Sequence, residues 1–141
     1  MKIKVKKIRE IDLPGYHHAG DSGMDLINAA DETVIEPGER KLIPSGIKVA
    51  IPEGYEIQIR SRSGLALKKG IMVLNSPGTI DAGYRGEIGV ILLNTSKESV
   101  TIEKKIRVAQ AVLQKVETIE WEETEELPDS TRNSGGFGST G

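Results

Sequence analysis

Apolar and polar residues alternate one for one in three short stretches of the chain: Ile3-Lys4-Val5, Ile47-Lys48-Val49 and Tyr55-Glu56-Ile57-Gln58-Ile59-Arg60. Successive side chains of an extended strand point to opposite faces, so this period of two predicts strands with one face on a core and the other toward water. Two more stretches, Ile88-Gly89-Val90-Ile91-Leu92-Leu93 and Val108-Ala109-Gln110-Ala111-Val112-Leu113, are almost continuously apolar and rich in β-branched residues. They predict strands buried on both faces. Turn-forming triplets fall between such runs: Glu36-Pro37-Gly38, Pro44-Ser45-Gly46, Pro52-Glu53-Gly54, Ser76-Pro77-Gly78 and Asp81-Ala82-Gly83. Many short strands punctuated by glycine and proline predict an all-β sandwich or barrel. One short helix is expected around Leu65 to Lys69, ended by Gly70.

The chain has 141 residues, enough for one domain with its own core. No apolar run approaches the roughly 18 to 20 residues a spanning helix needs. The basic start MKIKVKK leads into Arg9 and Glu10 instead of an apolar stretch, so a secretory signal is not expected and a cytoplasmic location is. With no cysteine, disulfides, thiol catalysis and thiolate metal sites are excluded, and His17 and His18 are the two histidines that remain as soft ligands. Structural zinc is therefore not expected. A net charge of −2 gives no global attraction to nucleic acid, so recognition of an anion rests on local basic residues.

Composition changes near the end of the chain. Five glutamates surround Trp121 between Glu120 and Glu126, and Leu127-Pro128-Asp129 leads into the closing RNSGGFGSTG. This divides the chain into a β core over 1–119, an acidic linker over 120–131 and a glycine-rich tail over 132–141. A glycine-rich terminus is by default a flexible tail. Such a tail has no use for Phe137, the one phenylalanine of the protein, which asks for a partner.

Four polar, glycine-rich stretches could carry chemistry. The first is Ala19-Gly20-Asp21-Ser22-Gly23-Met24-Asp25-Leu26. The second, Arg60-Ser61-Arg62-Ser63-Gly64-Leu65, joins guanidiniums, hydroxyls and backbone N–H groups ahead of the helix, as an anion cradle would. Taken alone it reads better as a helix capped by Ser63. The third runs from Asn75 to Glu87; Asn75 offers a donor and an acceptor to a base edge, Asp81 a carboxylate that could deprotonate water, and Tyr84 a flat face for a sugar. Each also reads as a turn former or as strand packing. In the fourth, 132–141, Arg132 could clamp a phosphate, the glycines admit close backbone approach, and Phe137 could stack on a planar ring.

Taken in order, these stretches resemble the five motifs of the homotrimeric dUTPase (dUTP diphosphatase) family. Ser22-Gly23-Met24-Asp25-Leu26 is similar to its first motif, Arg62-Ser63-Gly64-Leu65-Ala66 to the second, Asn75 to Glu87 to the third, Arg107-Val108-Ala109-Gln110 to the fourth and Arg132 to Gly141 to the fifth. The resemblance implies a jelly-roll β-barrel subunit of the β-clip type, one short helix and a C-terminal tail that folds over bound nucleotide. It implies hydrolysis of dUTP to dUMP and pyrophosphate with Mg2+, in a homotrimer whose sites are shared between subunits. Neither a nucleic-acid polymer nor a membrane is implied as a partner. By similarity Asp81 is the general base and Arg132 acts on the γ-phosphate. Arg62, Ser63, Gly64 and Gln110 lie on the phosphate chain. Asn75, Gly78, Ile80 and Gly89 receive uracil, and Tyr84 excludes a ribose 2′-OH. Phe137 covers the base, Ser139 and Thr140 reach phosphate oxygens, Gly138 binds substrate with them, and Asp25 reaches magnesium through water.

Two positions depart from the family pattern. Lys105-Ile106 stands where a Gly-Asp or Gly-Glu pair is usual, so the turn before Arg107 is expected to be built differently. Asn133 stands where glycine usually follows the tail arginine, and asparagine tolerates a positive φ best among non-glycine residues. Two rival functions are weighed against dUTP hydrolysis. A dCTP deaminase would need an acid on the strand after the hairpin, where this chain has Ile91-Leu92-Leu93. A binding-only nucleotide module could dispense with Asp81, Arg132 and Phe137, all of which are present.

Overall fold

A computed structural model describes residues 1–138. Eleven strands and one helix follow in the order β1 (Lys4–Lys7), β2 (Met24–Ile27), β3 (Thr33–Ile35), β4 (Arg40–Pro44), β5 (Ile47–Ala50), β6 (Tyr55–Ser61), α1 (Ser63–Lys69), β7 (Ile71–Val73), β8 (Gly78–Ile80), β9 (Gly89–Asn94), β10 (Val100–Ile102) and β11 (Arg107–Lys115). All strand pairs are antiparallel, in four groups: β2-β11-β6-β8, β4-β9-β7, β1-β5 and β10-β3. Inward side chains of every group meet in one aliphatic core that includes Leu26, Ile35, Ile43, Ile59, Ile71, Val90, Leu92 and Val108, each at most 2% exposed. The expected all-β jelly-roll barrel with one short helix is the architecture found.

The period-two stretches became β5 and β6, with Ile47, Val49, Ile57 and Ile59 inward. The central strand β11, flanked by β2 and β6, buries Val108, Ala109, Ala111 and Val112 as its apolar run predicts. Its neighbour in pattern, β9, differs from expectation: Val90, Leu92 and Asn94 are buried, whereas Gly89, Ile91 and Leu93 are only partly covered. On the outer face of β4-β9-β7, Leu42 is 67% exposed and Ile91, opposite it, is partly covered. The first strand also differs, since all four residues of β1 are exposed. It pairs only with β5, and one edge and one face stay open.

The helix begins two residues earlier than expected and ends as expected at Gly70, in the left-handed conformation at φ 64°. Ser63 does not cap it. The capping position is Arg62, which makes no side-chain cap bond, and Ser63 is the first helical residue. Arg62 is instead turned toward β2, as described below.

Two buried asparagines tie loops to the barrel, Asn28 and Asn94. Asn28 Nδ2 donates to the carbonyls of Ile102 and Glu103, both at 3.3 Å, while the Asn28 backbone exchanges bonds with Lys105 N at 2.8 Å and Ile106 O at 2.9 Å. Asn28 thereby fixes the turn that delivers Arg107. Lys105 sits in that turn at φ 65°. The turn is thus the left-handed one that glycine would occupy, formed by a residue for which it is strained. A non-glycine residue there costs about 1 to 2 kcal/mol, and glycine gives back about 0.5 to 1 kcal/mol through unfolded-state entropy. Lys105→Gly is expected to stabilise the protein by about 0.5 to 1 kcal/mol, a rise of roughly 2 to 4 °C in Tm. Thermal unfolding followed by circular dichroism checks this, and a lowered Tm would contradict it.

Candidate active site

Strand pairing sets the first group of functional side chains. Asp25 on β2 lies opposite Gln110 on β11, and Gln110 lies opposite Arg60 on β6. A Cβ on Gly23 would stand 2.8 Å from Gln110 Oε1, so only glycine lets the amide lie against this strand. Past the end of β6, Arg62 turns back: its Nε is 3.0 Å from Asp25 Oδ1 and its guanidinium donates to the Arg107 carbonyl at 3.1 Å. Arg107 Nε is 3.6 Å and His17 Nε2 3.4 Å from Asp25 Oδ2. The Asp25 side chain is 13% exposed, whereas those of Arg107 and His17 are about half exposed. Asp25, Arg62, Arg107, Gln110, Ser22 and Gly23 thus line one open cavity of about 440 Å³. Its wall carries two guanidiniums and an amide around Asp25, with Asp21, His17 and His18 also lining it, and Ser63 and Gly64 open the adjacent first helical turn, whose N–H groups have no intrahelical acceptor. Such a donor set suits a polyphosphate.

The second group lies on β8 and its flanking loops, the Asn75 to Glu87 stretch called the hairpin below; β8 pairs with β6, and β9 with β4 and β7. Gly78 is buried opposite Ile59, and a Cβ there would stand 3.1 Å from Asn75 Nδ2 and 3.3 Å from Ile59 Cβ, so glycine lets Asn75 fold close. Ser76-Pro77 is a cis peptide. Ile80 is half-buried opposite Ile57. Asp81, exposed, opens the next turn and its carbonyl accepts from Tyr84 N at 3.0 Å. The Tyr84 ring lies across Gly86, where a Cβ would collide with the phenol oxygen, and its hydroxyl donates to the Glu87 carbonyl at 2.9 Å. Glu87 Oε1 in turn accepts from Gly46 N at 2.9 Å and from Arg9 Nε at 3.1 Å, which anchors the hairpin to the barrel. Gly89 passes Leu42 so closely that a Cβ would stand 2.6 Å from Leu42 Cδ1.

Within one chain Asp81 stands far from the cradle, whereas Gly78 and the adjoining Asn75 lie toward the Arg62 end of β6. Ile80 pairs with Ile57, and Arg62 lies five residues farther along the β6 chain, on the order of 15 to 20 Å away. The sheet order β2-β11-β6-β8 adds three strand spacings between Asp25 and the hairpin, about 14 Å across. The cradle and Asp81 occupy opposite ends of one sheet.

Arg132, Phe137 and Gly138 form the third group, and Ser139 and Thr140 lie outside the described residues. Arg132 Nε donates to Gly135 O at 2.6 Å, and Asn133 takes a positive φ of 41°, the turn its side chain allows. Phe137 is fully exposed, at φ 49°. Residues the sequence reading did not assign to a site are His17 and Arg107, which join Asp25, and Glu87 and Gly86, which seat Tyr84. The Arg107 signal was present in the fourth motif, whereas nothing in the local pattern around His17 ties it to a carboxylate eight positions on.

No group of three or more His, Asp or Glu residues is placed to hold a metal ion among the described residues. A single carboxylate, Asp25, suits a magnesium ion held chiefly by phosphates and reached through water, since magnesium keeps waters and takes few protein ligands. The residues present fit that mode.

Comparison with known proteins matches residues 9–141 to the dUTPase family model. The deoxyuridine 5'-triphosphate nucleotidohydrolase of Hydrogenobaculum sp. strain Y04AAS1 is 57% identical over 100% of this chain and 99% of its own length. A point mutant of the Staphylococcus bacteriophage 80alpha dUTPase, solved with dUpNHpp, superposes with a TM-score of 0.90 at 30% identity, covering 99% of this chain and 98% of that one. A point mutant of the dUTPase from phage phi11 of S. aureus, whose structure describes coordination of a structural Mg(II) ion, gives a TM-score of 0.83 at 27% identity over 92% of this chain and 100% of that one. With its fold, its ordered motifs and a relative this similar over its whole length, the chain belongs to the dUTPase family of enzymes.

Proposed function

We propose that the chain hydrolyses dUTP to dUMP and pyrophosphate in a homotrimer whose sites combine the cradle of one subunit with the hairpin of another. The observation that carries this reading is the separation of the cradle from Asp81 along a single sheet. Asp81 has to act at the α-phosphorus of the chain that the cradle binds, and at that separation the two belong to different copies. Exposed apolar surface supports assembly: Leu42 and Leu74 on the β4-β9-β7 face, and Ile119, Trp121 and Leu127 beyond the last strand. In this reading residues 1–119 are the catalytic core, 120–131 the span to a neighbouring site and 132–141 its lid. The enzyme works in the cytoplasm, limiting uracil incorporation into DNA and supplying dUMP for thymidylate synthesis.

Uracil enters beside Asn75, with backbone groups of Gly78, Ile80 and Gly89 completing hydrogen bonds to its edge. Tyr84, held by its bond to Glu87, lies under the deoxyribose, where a 2′-OH would collide with the ring. Arg62, Gln110 and the backbone of Ser63 and Gly64 bind phosphate oxygens, and Asp25 orients water toward magnesium. Magnesium supplies charge neutralisation of the phosphates and of the leaving pyrophosphate. Asp81 accepts a proton from water as the water oxygen bonds to the α-phosphorus; the bond from that phosphorus to the α,β-bridging oxygen breaks and its electrons leave with pyrophosphate. Arg132 balances charge on the γ-phosphate, Phe137 stacks on uracil, and Gly138, Ser139 and Thr140 complete the lid.

The test is incubation with magnesium and, separately, dUTP, UTP, dTTP or dCTP, following pyrophosphate and ammonia. Pyrophosphate from dUTP is expected, with kcat/KM for UTP and dTTP lower by roughly 10²-fold or more. Ammonia from dCTP, or dUTP binding without turnover, would overturn the reading.

A further inference from the structure

We propose that His17 is a positioning residue for Asp25, fixing the carboxylate that serves magnesium in the proposed dUTP reaction; the inference rests on that reading. Asp25 meets three side chains that bear donor nitrogens, and they divide between its oxygens. Oδ1 faces Arg62 Nε at 3.0 Å, while Oδ2 faces His17 Nε2 at 3.4 Å and Arg107 Nε at 3.6 Å. Arg62 alone holds Oδ1 at close range. Without His17, Oδ2 keeps one long contact, and the terminal torsion of an aspartate is broad enough for the carboxylate to swing. The 3.4 Å approach is a contact without a formed hydrogen bond, and a small turn of the ring would bring a proton on Nε2 onto Oδ2 whether or not the ring is charged.

The ring is not placed by chance of a flexible loop. Asp21 Oδ2 accepts from the backbone N–H of His17 at 3.1 Å and of His18 at 2.8 Å, and Asp21 N donates to His18 O at 3.2 Å. This closes a tight loop over 17–21 that fixes the backbone from which the His17 ring projects. His17, Asp25 and Arg107 together form the wall between the cradle and a second cavity of about 340 Å³ behind it. Asp21 acts through His17, His17 acts through Asp25, and neither needs to touch the nucleotide.

The test measures magnesium dependence in two ways: calorimetric binding of dUpNHpp over a magnesium series, and steady-state dUTP hydrolysis over the same series. His17→Ala is expected to raise the magnesium concentration for half-saturation about tenfold in both, a typical loss for an outer partner of a metal-serving group. At saturating magnesium kcat is expected to stay within about twofold. His17→Gln, whose Nε2–H₂ reaches toward the same oxygen, is expected to restore most of the magnesium affinity, and Asp21→Asn, which can still accept from both amides, to resemble the unmodified protein. Asp21→Ala and the Asp21→Ala/His17→Ala double variant are expected to match His17→Ala without adding to it, the signature of residues acting in series. Unchanged magnesium dependence in His17→Ala, or a fall in kcat that saturating magnesium leaves in place, would overturn the assignment. If the unmodified protein neither bound dUpNHpp nor hydrolysed dUTP, the functional reading itself would fall, a result visible before any variant is made.

Discussion

Asp81→Asn is expected to lower dUTP turnover by about 10²- to 10⁴-fold while changing the affinity for dUpNHpp only a few-fold. Asparagine has the same shape and keeps the backbone bond from Tyr84 N to the residue-81 carbonyl, so the turn that seats Tyr84 survives. What is lost is one proton acceptor at the position proposed to face the attacking water. Because Asp81 is exposed and outside the aliphatic core, the unfolding temperature is expected to stay within a degree or two of the parent value, on the scale of a neutral surface substitution. The comparison needs kcat, analogue affinity and Tm from one preparation. A variant that retained more than about a tenth of the parent kcat would remove Asp81 from the role of general base.

The sequence carried the barrel where one face meets a core, and was less informative where a second chain or a distant residue decides. Tyr55 to Arg60 alternated cleanly and became β6. The run at Ile88 to Leu93 looked buried on both sides because its outward residues, Ile91 and Leu93, are apolar as well; in one chain they are only partly covered. Composition reports that a face avoids water, and cannot say whether the same chain or another copy covers it. Strands as short as β3, β7, β8 and β10, three residues each, hold too few positions for a period to register. The site divides likewise. Gly78 and Gly86 were visible as glycines in a motif and Gly89 as a glycine in an apolar run, but their reasons are close approaches to Asn75, Tyr84 and Leu42 that only the folded chain displays. The setting of Asp25 joins residues from positions 17, 62 and 107, and no local pattern reads across such separations.

Deletion of residues 132–141 is expected to reduce kcat/KM for dUTP by about 10³-fold or more, since it removes both a charge-balancing arginine and an aromatic cover. Phe137 stands fully exposed, and a base stacked on such a ring is worth about 1 to 3 kcal/mol. Phe137→Ala alone should therefore lose roughly 5- to 150-fold, with the remainder of the deletion effect resting on Arg132 and the backbone beside it. A mixing experiment separates a lid that serves its own subunit from one that serves a neighbour. Asp81→Asn protein keeps the tail but lacks the base; the deletion protein keeps the base but lacks the tail. Neither should turn over dUTP well alone. After joint unfolding and refolding, mixed trimers would place an intact tail over a hairpin bearing Asp81 from another subunit, and activity should rise well above the sum of the two. A tail that closed on its own chain's hairpin would give no gain, because each chain would remain defective in its own site.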